Sequence, residues 1–464
     1  MGVLDVALGS ALSFPAVPVL RDGSSCGEKH VLRWFPTSCG PVVISMLWWC
    51  EGTTGNRPAA ERAGRGERTM TEMAERRRQT GPADLDALGA TLTEEERGVQ
   101  DRARAFVEDQ VLPSIEDWFE QGTFPRQLVP ALGELGLLGM HLEGYGCAGK
   151  GAVSYGLACL ELEAGDSALR SFVSVQSSLA MFAIWKYGSE EQKQRYLPGM
   201  AAGEIIGCFG LTEPEAGSDP GSMKTTARRD GPDWVLEGHK RWVTNGSIAD
   251  VAVVWAKTEE GVRGFLVPRQ TPGMATQYIQ GKWSLRASVS SEIILSSCRL
   301  PQDAVLPTAV GLRAPLSCLN EARYGIVWGA LGAARACYDA ALSFALQRVQ
   351  FGKPLAAFQL TQAKLVDMAV EIEKGVLLAY HLGRLKENGQ LAPEQVSIGK
   401  LNSTREALKI ARTARTVLGA NGVTLAYPVI RHSVNLESVL TYEGTSEIHQ
   451  LAIGRALTGI SAFS

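Results

Sequence analysis

The chain has 464 residues, 45% hydrophobic and 20% charged, an ordinary globular composition with enough apolar residues for two or three domain cores. Its formal net charge of -3 supplies no global basic field for nucleic acid or an anionic membrane, and no segment reaches the roughly 18 apolar residues of a spanning helix. The nine cysteines are widely spaced without a Cys-x-x-Cys pair and read as reduced thiols, and the six histidines make no metal-ligand pattern.

Residues 1–90 mix Gly, Pro, Arg and Ser with short apolar patches and show no sustained period. Arg62, Arg65, Arg68, Arg76, Arg77 and Arg78 give a basic cast, but Glu51, Glu61, Glu67 and Glu72 are unwelcome in a targeting peptide. A disordered or non-native extension is expected, with Met70 as an alternative start. Order begins at Thr93, which forms a capping-box signal with Glu96, and helical spacing follows to Pro113. Further helical patterns cover 132–140, 153–163, 171–187 and 190–200; Gly165 stops one, and Asp166 and Ser167 suit the cap of the next. Residues 91–205 thus read as an N-terminal helical domain.

From 206 to 312, short β-branched or aromatic runs at 234–236, 251–256, 264–268 and 292–298 lie between Gly, Asp, Asn and Pro, which predicts a small antiparallel β domain. From 313 to 464 the pattern is helical again, with long segments near 324–349, 359–387, 394–418 and 446–457, as in a four-helix bundle. The fold class is α+β, in the order helical, β, helical.

Four motifs invite a chemical reading. Gly144, Gly146 and Gly149 fit G-x-G-x-x-G, but no strand precedes them, so a glycine-rich connecting loop is the better reading. The stretch from Cys208 to Asp219 packs an extended start, Thr212, a glycine turn and Ser218 into a dozen positions; by itself it reads as a strand and turn. In the stretch from Lys240 to Gly246, Trp242 can cover an aromatic ring and Thr244 can donate to it; alone, this is an edge strand ending in Asn-Gly. In the last, from Leu440 to His449, Glu443 precedes a glycine and two capping hydroxyls, so it either meets a ligand or simply favours a helix dipole.

The last three motifs, in this order and on this domain plan, resemble the acyl-CoA dehydrogenase family from about residue 92 to 464. Within it the likeness is greatest to the glutaryl-CoA dehydrogenase subgroup, through the stretches 144–149, 168–179, 282–288, 319–325 and 441–445. The resemblance implies FAD as cofactor. Phe209, Leu211, Thr212, Gly217 and Ser218 would line the flavin, with Ser218 also near CoA, and Trp242, Val243 and Thr244 would form a second contact stretch. Arg348, Phe351 and Gln359 would hold the pyrophosphate and adenine side, and Gly419 and Ala420 another part of FAD. Ala420 stands where the family usually has glycine. Thr445 would also touch FAD. Asn320 and Arg323 would meet CoA, and Gly444 would adjoin the thioester.

By the same likeness Glu443 is the catalytic base, and Arg170 and Ser171, with Glu163 beside them, would hold the distal carboxylate of glutaryl-CoA. Oxidative decarboxylation to crotonyl-CoA and CO2 would follow, with electrons leaving to an electron-transfer flavoprotein from a homotetramer. The compartment would be the cytoplasm of a bacterium or the mitochondrial matrix of a eukaryote, and the setting lysine and tryptophan degradation or fatty acid metabolism. On the residues alone, Arg170 could equally salt-bridge Glu163 or Asp166 at the surface. The alternatives are a non-decarboxylating short- or branched-chain dehydrogenase, an acyl-CoA oxidase on the same fold, and a helical scaffold that has lost its flavin.

Overall fold

The computed structural model describes residues 88–463. The expectations about an N-terminal extension and a start at Met70 lie outside the described residues, although Leu88 is already buried in the core. Glu96 N donates to Thr93 Oγ1 at 3.2 Å and Thr93 N to Glu96 Oε2 at 2.8 Å, so both halves of the capping box close. Helix α1 (Glu94–Phe106) runs on through one wide turn (Val107–Val111), and α2 (Ile115–Gln121) follows. Helix α3 (Val129–Glu134) is shorter than the pattern at 132–140 predicts, because Gly136 and Gly139 take left-handed φ values of 67° and 69°.

The glycine-rich stretch 144–149 is a loop leading into α4 (Ala152–Gly165). Helix α4 is buried on almost every side, which makes it central to the core. Asp166 caps α5 (Ser167–Ser174) by accepting from Ala168 N at 2.7 Å, and a wide-turn segment (Val175–Met181) carries it into α6 (Phe182–Tyr187). Helix α7 (Glu190–Ala201) ends this region.

The β region is one seven-stranded sheet. Its strands are β1 (Gly207–Gly210), β2 (Thr226–Asp230), β3 (Asp233–Thr244), β4 (Val251–Thr258), β5 (Gly261–Pro268), β6 (Met274–Tyr278) and β7 (Ser290–Leu300). The order is β1-β4-β2-β3-β7-β6, with β5 on β4. Pairing is antiparallel for the most part, but β1 and β2 both run parallel to β4. Between Lys240 and Val243 the β3–β7 register shifts, and Trp242 sits in that bulge with φ 59°.

The C-terminal region starts with α8 (Arg313–Gln347), then a hairpin of β8 (Val349–Gln350) and β9 (Lys353–Pro354), then α9 (Gln359–Glu387) and α10 (Pro393–Val417). Two more helices follow, α11 (Pro428–Thr441) and α12 (Ser446–Thr458). The sequence pattern did not single out α11. Its inner face carries buried Arg431, His432 and Asn435, and these interrupt the apolar period that would have marked it. Pro428 at its first turn was the available signal. No helix among the described residues is long and apolar enough to cross a membrane.

Candidate active site

Helix α11 ends at Tyr442, whose N–H reaches Ser438 O at 2.9 Å. The chain then turns through Glu443 at φ 54° and Gly444 at φ 101°, and Thr445 caps α12 by accepting from Ile448 N at 3.3 Å. A left-handed φ is uncommon for a residue with a side chain, so the surroundings must hold Glu443 there. They do so through its carbonyls. Arg323 Nε donates to Glu443 O at 2.7 Å, and Lys400 Nζ donates to Tyr442 O and Gly444 O at 2.8 Å each.

The Glu443 carboxylate has an enclosed Oε2 with no hydrogen-bond partner among the described residues. Burial raises its pKa above the ordinary value, and it prevails over the opposing charges of Arg170, Lys400 and Arg323. An enclosed, unbonded carboxylate of raised basicity suits the removal of a weakly acidic proton.

Next to this turn lies a second buried group. Arg170 is fully enclosed, its Nε 2.6 Å from Glu163 Oε2, and its Nη2 touches the Tyr442 hydroxyl. Ser171 Oγ lies 3.4 Å from that same hydroxyl. Tyr442 thus joins the Arg170 cluster to the Glu443 turn, across some 270 positions of sequence. Arg170 does bridge Glu163, as its residue type allowed, but in the interior; Asp166 pairs instead with Arg431 at 2.6 Å. Arg170 Nη1 and Glu163 Oε1 are both enclosed without a partner among the described residues. Buried polar atoms are nearly always bonded, so a free guanidinium N–H beside a base marks a place for an oxygen ligand. Gly329 of α8 makes room for the pair: a Cβ there would collide with Glu163 Oε2 and stand 3.1 Å from Arg170 Nε.

The two stretches expected at a flavin are joined by backbone. Arg241 N donates to Thr212 O at 2.9 Å, which sets Trp242 beside Thr212 at the end of β1. Trp242 is 54% exposed at its bulge, while Phe209 and Leu211 are buried beneath and Val243 is turned into the core. An open indole beside a threonine suits the face of a flat heteroaromatic ring. Beneath them Lys240 Nζ donates to Leu211 O at 3.0 Å and Glu213 Oε1 at 2.8 Å. Burial would raise Glu213, but the N–H groups of Lys224 and Thr225 and the Lys240 ammonium hold it down to about 2. Gly217 and Ser218 are exposed on the following turn, and Thr244 is half-buried.

The remaining predicted residues are arranged differently. Arg323, expected along CoA, turns its guanidinium to the Glu443 backbone and donates from Nη1 to Asn320 Oδ1 at 3.1 Å. Arg348, Phe351 and Gln359, around the β8–β9 hairpin, and Gly419 and Ala420, after α10, are all exposed. No hydrogen bond, ion pair or ring contact among the described residues ties them to the Glu443 pocket. Sequence reasoning overlooked Lys400, Lys240 with Glu213, His449 and Gly329. Buried His449 lies against Gly444, its Nε2 free of partners among the described residues, and burial with the Lys400 and Arg323 charges pushes it down to about 3. His449, Lys240 and Glu213 stood inside motifs already in view, whereas Lys400 and Gly329 did not.

Comparison with known proteins matches three domain families in succession: the acyl-CoA dehydrogenase N-terminal domain over residues 93–204, the middle domain over 208–298 and the C-terminal domain over 309–458. The human mitochondrial short-chain specific acyl-CoA dehydrogenase is 37% identical over 357 residues, which span 75% of this chain and 87% of that protein. A crystal structure of glutaryl-CoA dehydrogenase from Mycobacterium smegmatis superimposes with TM-score 0.81 at 63% identity, covering 82% of this chain and 99% of that one. A second structure, of a glutaryl-CoA dehydrogenase from the same organism in complex with FADH2, gives TM-score 0.81 at 60% identity over 82% of this chain and 98% of that one. With all three domains matched in order on the helical, β, helical plan, the chain belongs to the acyl-CoA dehydrogenase family.

Proposed function

We propose that this FAD-dependent acyl-CoA dehydrogenase oxidises glutaryl-CoA, with Glu443 as the base and Arg170 as the anchor of the distal carboxylate. The observation that carries the reading is the enclosed pair of unpartnered atoms, Glu443 Oε2 and Arg170 Nη1, linked through Tyr442. A dicarboxylic thioester supplies an acidic carbon for the first and a carboxylate for the second. The structural neighbours named for glutaryl-CoA dehydrogenase support the choice of substrate.

Bound along Thr212 and Trp242, FAD supplies the acceptor for the hydride that leaves the β-carbon. Glu443 takes the α-proton, and the N–H groups of its own turn steady charge on the thioester oxygen. Arg170 fixes the far end of the substrate and so limits which carbons face the base. When CO2 leaves the glutaconyl thioester, protonated Glu443 is the group in place to return a proton to carbon, giving crotonyl-CoA.

The exposed Arg348, Phe351 and Gln359 support a further part of the proposal. One chain leaves an aromatic side chain 95% exposed at Phe351, and a homotetramer in which a neighbouring copy covers this hairpin and shares FAD would shield it. Electrons then pass to an electron-transfer flavoprotein. Product analysis tests the whole: glutaryl-CoA must bleach the flavin and yield crotonyl-CoA and CO2. A glutaconyl thioester as sole product would make it a non-decarboxylating dehydrogenase of glutaryl-CoA, and bleaching by butyryl-CoA alone a plain short-chain dehydrogenase.

A further inference from the structure

Lys400 lies on the buried face of α10 and is 1% exposed. Enclosing an ammonium is costly unless it is paired, yet no carboxylate lies within salt-bridge distance of this one among the described residues. Its bonds go to two backbone carbonyls, those of Tyr442 and Gly444, on either side of Glu443. The carbonyl between them accepts from Arg323. Two cations from two different helices therefore grip three successive carbonyls of one turn, and the middle residue of that turn has the left-handed backbone. A surface lysine would stabilise the fold at less cost, so this placement calls for a task.

We propose that Lys400 is the positioning residue of Glu443: it locks the turn that aims the carboxylate and sets a positive charge beside it. This rests on Glu443 being the base. The titratable and charged groups around Glu443 are Arg170, Arg323, Lys400, Tyr442 and His449. Burial draws the Lys400 ammonium down to about 7, and the Glu443 charge holds it up against Arg323 and Arg170. The influence is mutual, because the Lys400 charge favours the ionised form of Glu443. Removing the lysine acts on the base twice, by loosening its turn and by raising its pKa further.

The test compares Lys400→Met and Lys400→Gln holoenzymes with the parent. In Lys400→Met, glutaryl-CoA should bleach the flavin about 10²-fold more slowly, as for a base displaced by an ångström, with KM little changed. The acid limb of the rate profile should move to higher pH, and amide hydrogen exchange at residues 440–446 should quicken. Lys400→Gln keeps two N–H donors on one nitrogen without the charge. It should regain most of the rate and the slow exchange while its acid limb stays displaced. An unchanged rate and acid limb in Lys400→Met would overturn the proposal. Equal losses in both variants, in proportion to lost FAD and with the acid limb unmoved, would also overturn it by showing a merely structural lysine. Should Lys400→Met fail to fold, the acid limb of Lys400→Gln decides: displaced, it supports the proposal, and unmoved, it refutes it. Glu443→Gln keeps the two readings apart, since full turnover in that variant would remove the base assignment itself, whatever Lys400 does.

Discussion

Around Glu443, three consecutive backbone carbonyls already receive N–H bonds from interior cations, and the side chains of Arg170, Glu163 and Tyr442 are enclosed against one another. Around the β8–β9 hairpin, by contrast, Arg348, Phe351 and Gln359 are exposed among the described residues. The first region is fixed by burial before any substrate arrives; the second is an open surface. Substitutions in the two regions should therefore fail in different ways. The inner ones should alter chemistry and substrate choice, and the outer ones cofactor retention and assembly.

The sharpest test of the inner region is Glu443→Gln. Loss of a general base should slow flavin bleaching by about 10³-fold or more with FAD still bound. Rapid-mixing absorbance would check it.

Arg170→Ala comes next, but by itself it strands the buried Glu163 carboxylate, at a cost of about 3–5 kcal/mol in stability. Pairing it with Glu163→Gln removes the stranded charge. The double variant should raise KM for glutaryl-CoA by about 10²-fold and leave butyryl-CoA largely unaffected, since a lost charged hydrogen bond acts only on the substrate that made it. Equal losses on both thioesters would count against the carboxylate anchor.

Gly329→Ala tests the same pair from behind. Its methyl group would displace Glu163, with a loss of about 1–3 kcal/mol by thermal unfolding and a weakened preference for the dicarboxylic thioester.

In the outer region, Phe351→Ser should change the stability of the isolated fold by no more than about 0.5 kcal/mol. It should nevertheless reduce the proposed tetramer, followed by analytical ultracentrifugation, and the FAD retained on gel filtration. A variant that kept both would break the contrast between the regions.

The smallest effect is on pH. With Glu443 as the proposed base, only its ionised form can accept the α-proton, so the rate should fall as pH drops through its raised pKa, with an acid limb above the ordinary 4.5. The sign for stability is opposite. A carboxyl group whose folded-state pKa lies above its unfolded value contributes stability below the unfolded pKa, and that contribution is lost as pH rises through the folded one. Glu443→Gln should flatten this dependence in thermal unfolding.

Much of the site was legible because its members sit in short motifs with unusual local demands. Glu443 before a glycine and Trp242 before an Asn-Gly turn both needed special backbone, which leaves a mark in sequence. Arg170 was legible only by likeness, since one arginine near two acids has an ordinary surface explanation. Lys400 gave no mark at all, because a lysine on an amphipathic helix looks the same whether its face turns to water or inward. Helix α11 was missed for a related reason: its buried Arg431 and Asn435 read as surface residues until their partners Asp166 and Leu285 are seen beside them.

The sequence by itself determined the order of the three domains, the caps and breaks of most helices, and the segments from which the proposed base and ring contacts come. Those features depend on neighbours within a few positions, where capping, period and turn chemistry act. Only the tertiary structure decided which charges are buried together, that Tyr442 bridges Arg170 to the Glu443 turn, and that Arg323 and Lys400 grip that turn from two helices. Such groupings are made by the packing of α8, α10 and α11, and desolvation, which gives them their chemical force, has no counterpart in a local stretch of chain.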